Sequence, residues 1–199
     1  MAIKRLMRQT RTVLLVPCVE INGLTFLLSG TAAAPVLTPF AVPTSAALNT
    51  WAAIRTSGVA NAQVGGNISE AILDNLNLGL GASATDSTLL ITSRGNEVTP
   101  TLAAVNAVMG FMRDLDQLAN GAFNLAWQLV RVADIRYVIV DRVQGGKDSK
   151  AAFAAGDVIS MYTASTDNGI DNAGDQAFTT LNATFVPDGL INSNYTLLS

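Results

Sequence analysis

The chain has 199 residues, of which 49% are apolar and 14% charged, with a net charge of −3 and no histidine. That length suits one domain with a good core, and the apolar fraction excludes disorder. The missing imidazoles exclude histidine-based triads, imidazole acid–base catalysis and nearly every zinc site.

Charge is about half the ~25% usual in globular chains, and mean hydropathy is +0.35. A surface so poor in charge must be covered, by lipid or by protein. No run reaches the roughly 18 uncharged apolar residues of a spanning helix. The longest candidate, Thr12 to Leu28, is broken by Pro17, Glu20, Asn22 and Gly23. No membrane partner is expected, and the surplus points to self-association. Lys4, Arg5, Arg8 and Arg11 make residues 1–11 a basic arm without an acid, leaving eight basic against fifteen acidic residues in the body, a balance of −7. A cationic arm on an acidic body suits docking on a neighbouring body; the plain alternative is a solvated terminus. Glu20 and Asn22 interrupt what would otherwise imitate the apolar stretch of a signal peptide. The single cysteine, Cys18, permits no intrachain disulfide and is expected to be a buried apolar thiol.

In chain order, "TVLLVPCVEI" and "LTFLLS" around Asn22-Gly23 predict a hairpin, since Asn-Gly accepts the positive φ values of a type I′ turn. Residues 30–45 carry Pro35, Pro39 and Pro43, which argue against a helix or a central strand. This segment also bears Val36, Leu37, Phe40 and Val42, so it is expected to be a docking loop. The stretch from Thr50 opens as a short helix or a strand and ends at Gly65-Gly66. A strand is expected over residues 67–81, with Ile68, Ile72, Leu76, Leu78 and Leu80 in even register. "DSTLLITS" predicts another strand, and "SRGNEVTPT" (Ser93–Thr101) reads as an active-site loop or a scaffold joint. Residues 102–112 fit helix or strand. Over Asp114–Arg131 one helix is clear, with Leu115, Leu118, Ala122, Leu125 and Leu129 on one face and Asp114 or Asp116 at its start. "IRYVIVDRV", "FAAGDVISMYTAST" and "AFTTLNATFVPDG" predict three more strands, the last closed by Pro187-Asp188-Gly189. The sum is a mainly β domain with one flanking α-helix.

Chemical motifs are weak. Asp114 and Asp116, two apart on a helix, do not face each other. "GGKDS" at Gly145–Ser149 lacks the full phosphate-loop frame and reads as a hairpin turn. Asp167–Asp175, "DNGIDNAGD", offers oxygens for calcium but not the ligand spacing of an EF-hand, and such stretches most often make turns. No basic–aromatic interleaving marks a nucleic-acid groove.

Four stretches in order, "ATDSTLLITSRGNEVTPTL", "FNLAWQLVRVADIRYVIVDRV", "AAFAAGDVISMYTASTDNGIDNAGD" and "TFVPDGLINSNYTL", resemble the tail tube (major tail) proteins of long-tailed, siphovirus-type bacteriophages, particularly those of actinobacteria. The matching positions are Asp86–Thr88, Gly95–Thr101, Phe123–Ala126, Tyr137–Val143, Phe153–Asp167 and Thr184–Tyr195. The resemblance implies a β-barrel or sandwich flanked by a helix, one tail tube domain over 1–199, with the basic arm at 1–11 and the docking loop at 30–45. It implies hexameric rings stacked into a tube, assembled in the host cytoplasm, that conducts DNA from capsid to host. The partners implied are further copies, a tape-measure protein, a tail terminator and distal tail or baseplate proteins, with DNA passing non-specifically and no cofactor. On this resemblance residues 102–112 are strand and "SRGNEVTPT" is a joint. Candidate interface residues are Arg5, Arg8, Arg11, Pro39, Phe40, Trp51, Arg55, Asn194 and Tyr195, although Trp51 fits core packing equally well. The alternatives are a head decoration or neck protein and, more distantly, a glycan hydrolase using two carboxylates.

Overall fold

A computed structural model describes residues 11–31, 34–53, 65–73, 76–80, 85–88, 97–100, 105–112, 122–142, 147–168, 170–172 and 180–198. Its main sheet begins with the expected hairpin, β1 (Thr12–Ile21) and β2 (Leu24–Thr31). Asn22 and Gly23 take φ of 53° and 77° at the turn, the left-handed pair that a type I′ connection demands.

The proline-bearing segment departs from the loop expectation. Ala34–Pro39 forms β3, an edge strand antiparallel to β2, with Gly30 opposite Pro35 and Phe26 opposite Pro39. Phe40 N–H donates to the Thr25 carbonyl at 2.9 Å, which sets the parity of the ladder. Even-numbered backbone groups face β2, and Pro35 and Pro39 fall on the outward positions. A missing N–H there costs the ladder nothing. Pro17 survives inside β1 for a related reason. The Val13 carbonyl accepts from Ile68 N–H and its own N–H donates to the Ser69 hydroxyl, so odd-numbered groups face away from β9 (Arg136–Arg142). At Pro17 that side lies between β4 (Gly66–Asn67), which pairs with Leu14 and Leu15, and β2, which joins at Cys18. Gly65 is required beside this junction, since a Cβ would sit 2.2 Å from the Leu15 carbonyl oxygen.

Beyond β9 follow β10 (Val158–Thr166), β12 (Thr180–Thr196), β8 (Val105–Met112) and β5 (Asn77–Leu80), with β11 (Ile170–Asn172) also on β12. β8 is strand, as the resemblance implied. β12 does not stop at Pro187-Asp188-Gly189 but runs through it for 17 residues, its slips against β10 absorbed at three register shifts. Its first residues pair with β8 and β11 and its remainder with β10, so one strand carries the sheet around a corner. Of the strand expected over 67–81, Ser69–Ala71 is a 3-10 turn and Asn77–Leu80 is strand. β6 (Thr85–Thr88) and β7 (Glu97–Pro100) make a separate ladder with Pro100 opposite Thr85, so Glu97–Pro100 of "SRGNEVTPT" are strand, while Ser93–Asn96 and Thr101 lie outside the described residues.

Helix α2 (Ala122–Val130) lies within the predicted helix; Asp114 and Asp116 fall outside the described residues, as do Gly145 and Gly146. A second helix, α1 (Ser45–Ala53), resolves the Thr50 ambiguity. Thr44 caps it, its hydroxyl accepting from Ala47 N–H at 3.3 Å and satisfying one of the orphan donors at a helix start.

Side chains alternate along the central strands into two cores. Val13, Leu15, Tyr137 and Ile139 pack with Met109, Phe111, Leu125, Leu129 and Phe185 on one face. Leu14, Val16, Val138 and Val140 pack with Leu48, Phe153, Ile159, Met161 and Leu197 on the other. This is a mainly β, sandwich-like architecture with flanking helices. Burial on both faces explains why β1 and β9 read as continuous apolar runs rather than alternating ones. Cys18 is buried in the second core, and burial pushes its thiol up to about 12, which leaves no thiolate near neutral pH.

Tyr137 ties helix to sheet, its buried hydroxyl donating to the Leu129 carbonyl at 2.6 Å. Tyr137→Phe should lower unfolding stability in urea by about 1–2 kcal/mol through the carbonyl left unpaired. An unchanged midpoint would show that water reaches that carbonyl.

Candidate functional site

Two charged constructions stand at opposite ends of β1. At its start, Arg11 donates from Nε and Nη2 to the two oxygens of buried Asp141 at 2.8 and 2.5 Å. The bidentate hydrogen bond pushes the guanidinium pKa upward. Beside it, fully buried Arg142 reaches Asp157 at 3.2 Å, the Thr12 hydroxyl at 2.7 Å and the carbonyls of Asp148, Ala151 and Ala152. Its guanidinium also lies 4.5 Å from the Phe153 ring centroid, a cation–π contact. Lys147 adds a second cation to Asp157 at 2.5 Å. Burial by itself pushes the Asp157 carboxyl up, but the hydrogen bond from Lys147, the N–H of Ala154 and the charges of Lys147 and Arg142 outweigh it and hold it below 3.8. These charged groups pair with one another and with backbone carbonyls, and so hold residues 147–157 against the strand ends.

At the other end the sheet forks. The β1–β9 ladder stops at Pro17 opposite Tyr137, and the β1–β2 ladder starts at Cys18 opposite Leu27. Residues 18–21, β2 and β3 therefore form a three-stranded flap beyond the body. Its root is fixed by Leu27 and Phe40 in the second core and by an ion pair from Arg136 to Glu20, with Asp188 3.1 Å from the same guanidinium. An opening of about 480 Å³ occupies the fork, lined by Val19, Glu20, Leu28, Asp134, Ile135 and Arg136 among others.

Register gives the flap an uninterrupted apolar face. Val19, Ile21, Leu24, Phe26 and Leu28 share it with Pro35, Leu37 and Pro39 by direct pairing and alternation. It continues the face of the first core, yet none of these residues belongs to either core cluster. Leu24 is 64% and Leu37 46% exposed. Val19, Phe26 and Leu28 are half-buried, while Ile21, Leu24 and Leu37 form an exposed apolar patch, the kind of surface that a partner covers.

The predicted interface residues divide. Pro39 lies on the flap face. Phe40, Trp51 and Tyr195 are partly buried and gather against the second core, so packing already uses them. Asn194 is exposed at φ 55°, its N–H donating to Ser160 Oγ at 3.2 Å. Arg11 is engaged within its own chain, while Arg5, Arg8 and Arg55 lie outside the described residues. Sequence reasoning missed Ile21 and Leu24, whose signal was their register with Val19, Phe26 and Leu28 across Asn22-Gly23. Among the described residues no group of three acidic or thiol side chains is placed to hold a metal; Gly169, Ala173, Gly174 and Asp175 of the candidate calcium stretch lie outside them. No described helix is long and apolar enough to cross a membrane.

A charge-poor β domain whose described polar clusters brace the fold has the make-up of a structural protein. The model of one family, phage tail tube proteins, matches residues 35–198, and the chain belongs to that family. It is thus a structural component of the virion tail, in a family that is not enzymatic. No curated protein and no solved structure matches it significantly.

Asp157→Asn leaves buried Arg142 without its counter-charge and should cost about 3 kcal/mol at pH 7. Because the native carboxyl is held below its ordinary value, its stabilisation is complete above about pH 4 and drains away as the pH falls further. The gap between the unmodified chain and Asp157→Asn, measured by urea unfolding, should narrow from pH 7 to pH 3. A constant gap would show that the lost hydrogen bonds, not the charge, matter.

Proposed function

We propose that this chain is the tube subunit of a long-tailed, siphovirus-type phage. Six copies close into a ring, rings stack into a tube, and the lumen passes DNA from capsid to host. The tube forms in the host cytoplasm around a tape-measure protein, between a tail terminator and distal baseplate proteins. Family membership supports the tail assignment. The observation that carries self-assembly is the apolar flap face on a chain with 14% charged residues.

Physical requirements agree with this reading. Closing sheets into a ring covers strand edges, and head-to-tail stacking is open-ended, which yields a filament. A conduit must not grip its cargo, since each cation–phosphate contact adds attraction. A body with eight basic against fifteen acidic residues suits that need.

Electron microscopy of the purified protein, alone and with its tail partners, should show six-fold rings or tubes. Persistent monomers at high concentration would overturn the reading, and an icosahedral or single-ring location in the virion would point to a decoration or neck protein instead.

A further inference from the structure

We propose that Asn22 is a site of spontaneous deamidation, at which the backbone nitrogen of Gly23 displaces the side-chain amide as ammonia. The proposal goes beyond the tube reading and holds however the copies assemble.

The tip of the flap brings the reacting groups together in the open. Residues 21–24 are all exposed, and a Cβ on Gly23 would meet nothing within 4 Å. Water and base therefore reach the turn, and no side chain at position 23 crowds the backbone nitrogen. The β1–β2 ladder closes at Ile21 opposite Leu24, so Gly23 N–H lies outside it. Among the described hydrogen bonds none engages that group. An N–H left to solvent can give up its proton and attack.

The step balances with water and base alone. The Gly23 nitrogen loses its proton to hydroxide and bonds to Asn22 Cγ. The carboxamide C–N bond breaks, and its nitrogen takes up a proton and leaves as ammonia, which closes a succinimide. Water then adds to either carbonyl carbon of the ring. Opening at Cγ gives aspartate; opening at the main-chain carbonyl carbon routes the backbone through Cβ and gives isoaspartate.

Conformation sets the rate. Asn22 and Gly23 hold φ of 53° and 77°, and ring closure needs the Asn22 ψ to leave that left-handed turn. The rungs that must loosen lie beyond Cys18 and Leu27, the last residues of the two strands in a core. Opening there costs little, because few buried contacts are lost.

The products change the tip in different ways. Aspartate suits a type I′ turn as asparagine does, and it adds an acid between exposed Ile21 and Leu24. Isoaspartate lengthens a two-residue loop by one backbone carbon, against the register that such a loop sets.

Incubating the folded protein at mildly alkaline pH and mapping its peptides tests the proposal. Residue 22 should show the mass gain of an amide-to-acid exchange, divided between two products, one of them labelled by an isoaspartyl methyltransferase. A tip open about a tenth of the time should convert about tenfold more slowly than the urea-unfolded chain. Gly23→Asn keeps a residue that tolerates positive φ and should slow conversion several-fold, since its side chain crowds the attacking nitrogen. Residue 22 remaining an amide in the folded protein while the unfolded chain converts would overturn the proposal. So would an equal rate in Gly23→Asn, or aspartate as the sole product, since either marks direct hydrolysis. Should Gly23→Asn fail to fold, the product ratio of the unmodified chain decides the case.

Discussion

Burial of β1 and β9 on both faces is the constraint from which the rest of this molecule follows. Leu14 and Leu15, neighbours in sequence, belong to different cores and are both fully buried. A strand apolar on both sides cannot face water anywhere along its paired length, so cover is needed above and below. Helix α2 and the turned-over strands β8 and β12 supply one cover. Helix α1, Phe153 and the C-terminal Leu197 supply the other. Each fully buried Leu- or Val-sized side chain contributes roughly 1.5–3 kcal/mol, which is why short helices of modest propensity form at all in these places.

The two ends of β1 solve opposite problems. At its start, Arg142 is removed from water completely, a cost of several kcal/mol that is offset only when its donors are met. Asp157, Thr12 and three carbonyls meet most of them, drawing residues 147–157 onto the strand ends. At the other end β1 outruns β9, and the apolar pattern continues on residues that join neither core cluster.

Residues in between explain why some features were legible in one dimension and others were not. The β1–β2 hairpin was plain because Asn22-Gly23 is a local signal with a local cause. Helix α2 was plain because Leu125 and Leu129 repeat at helical spacing. Helix α1 was ambiguous, since only Leu48 of it is fully buried and one residue makes no period. Residues 34–39 read as loop because prolines usually exclude strands; that Pro35 and Pro39 both fall on outward positions depends on register with β2, which no local pattern reveals. β12 continuing through Pro187-Asp188-Gly189 has the same origin, for the bulges against β10 absorb what would otherwise be a turn.

By itself the sequence determined the class, a charge-poor β chain with one good helix, no imidazole chemistry and an excess of apolar surface, because composition and local periodicity act through short-range physics. It also marked the basic arm, whose charge needs no fold to be seen. Only the tertiary structure decided that Arg11 holds Asp141, that Phe40, Trp51 and Tyr195 meet on one core, and that eight apolar residues from three strands form one open face. Those facts depend on pairing between residues distant in sequence, and pairing is settled by the burial of the whole sheet rather than by any segment of it.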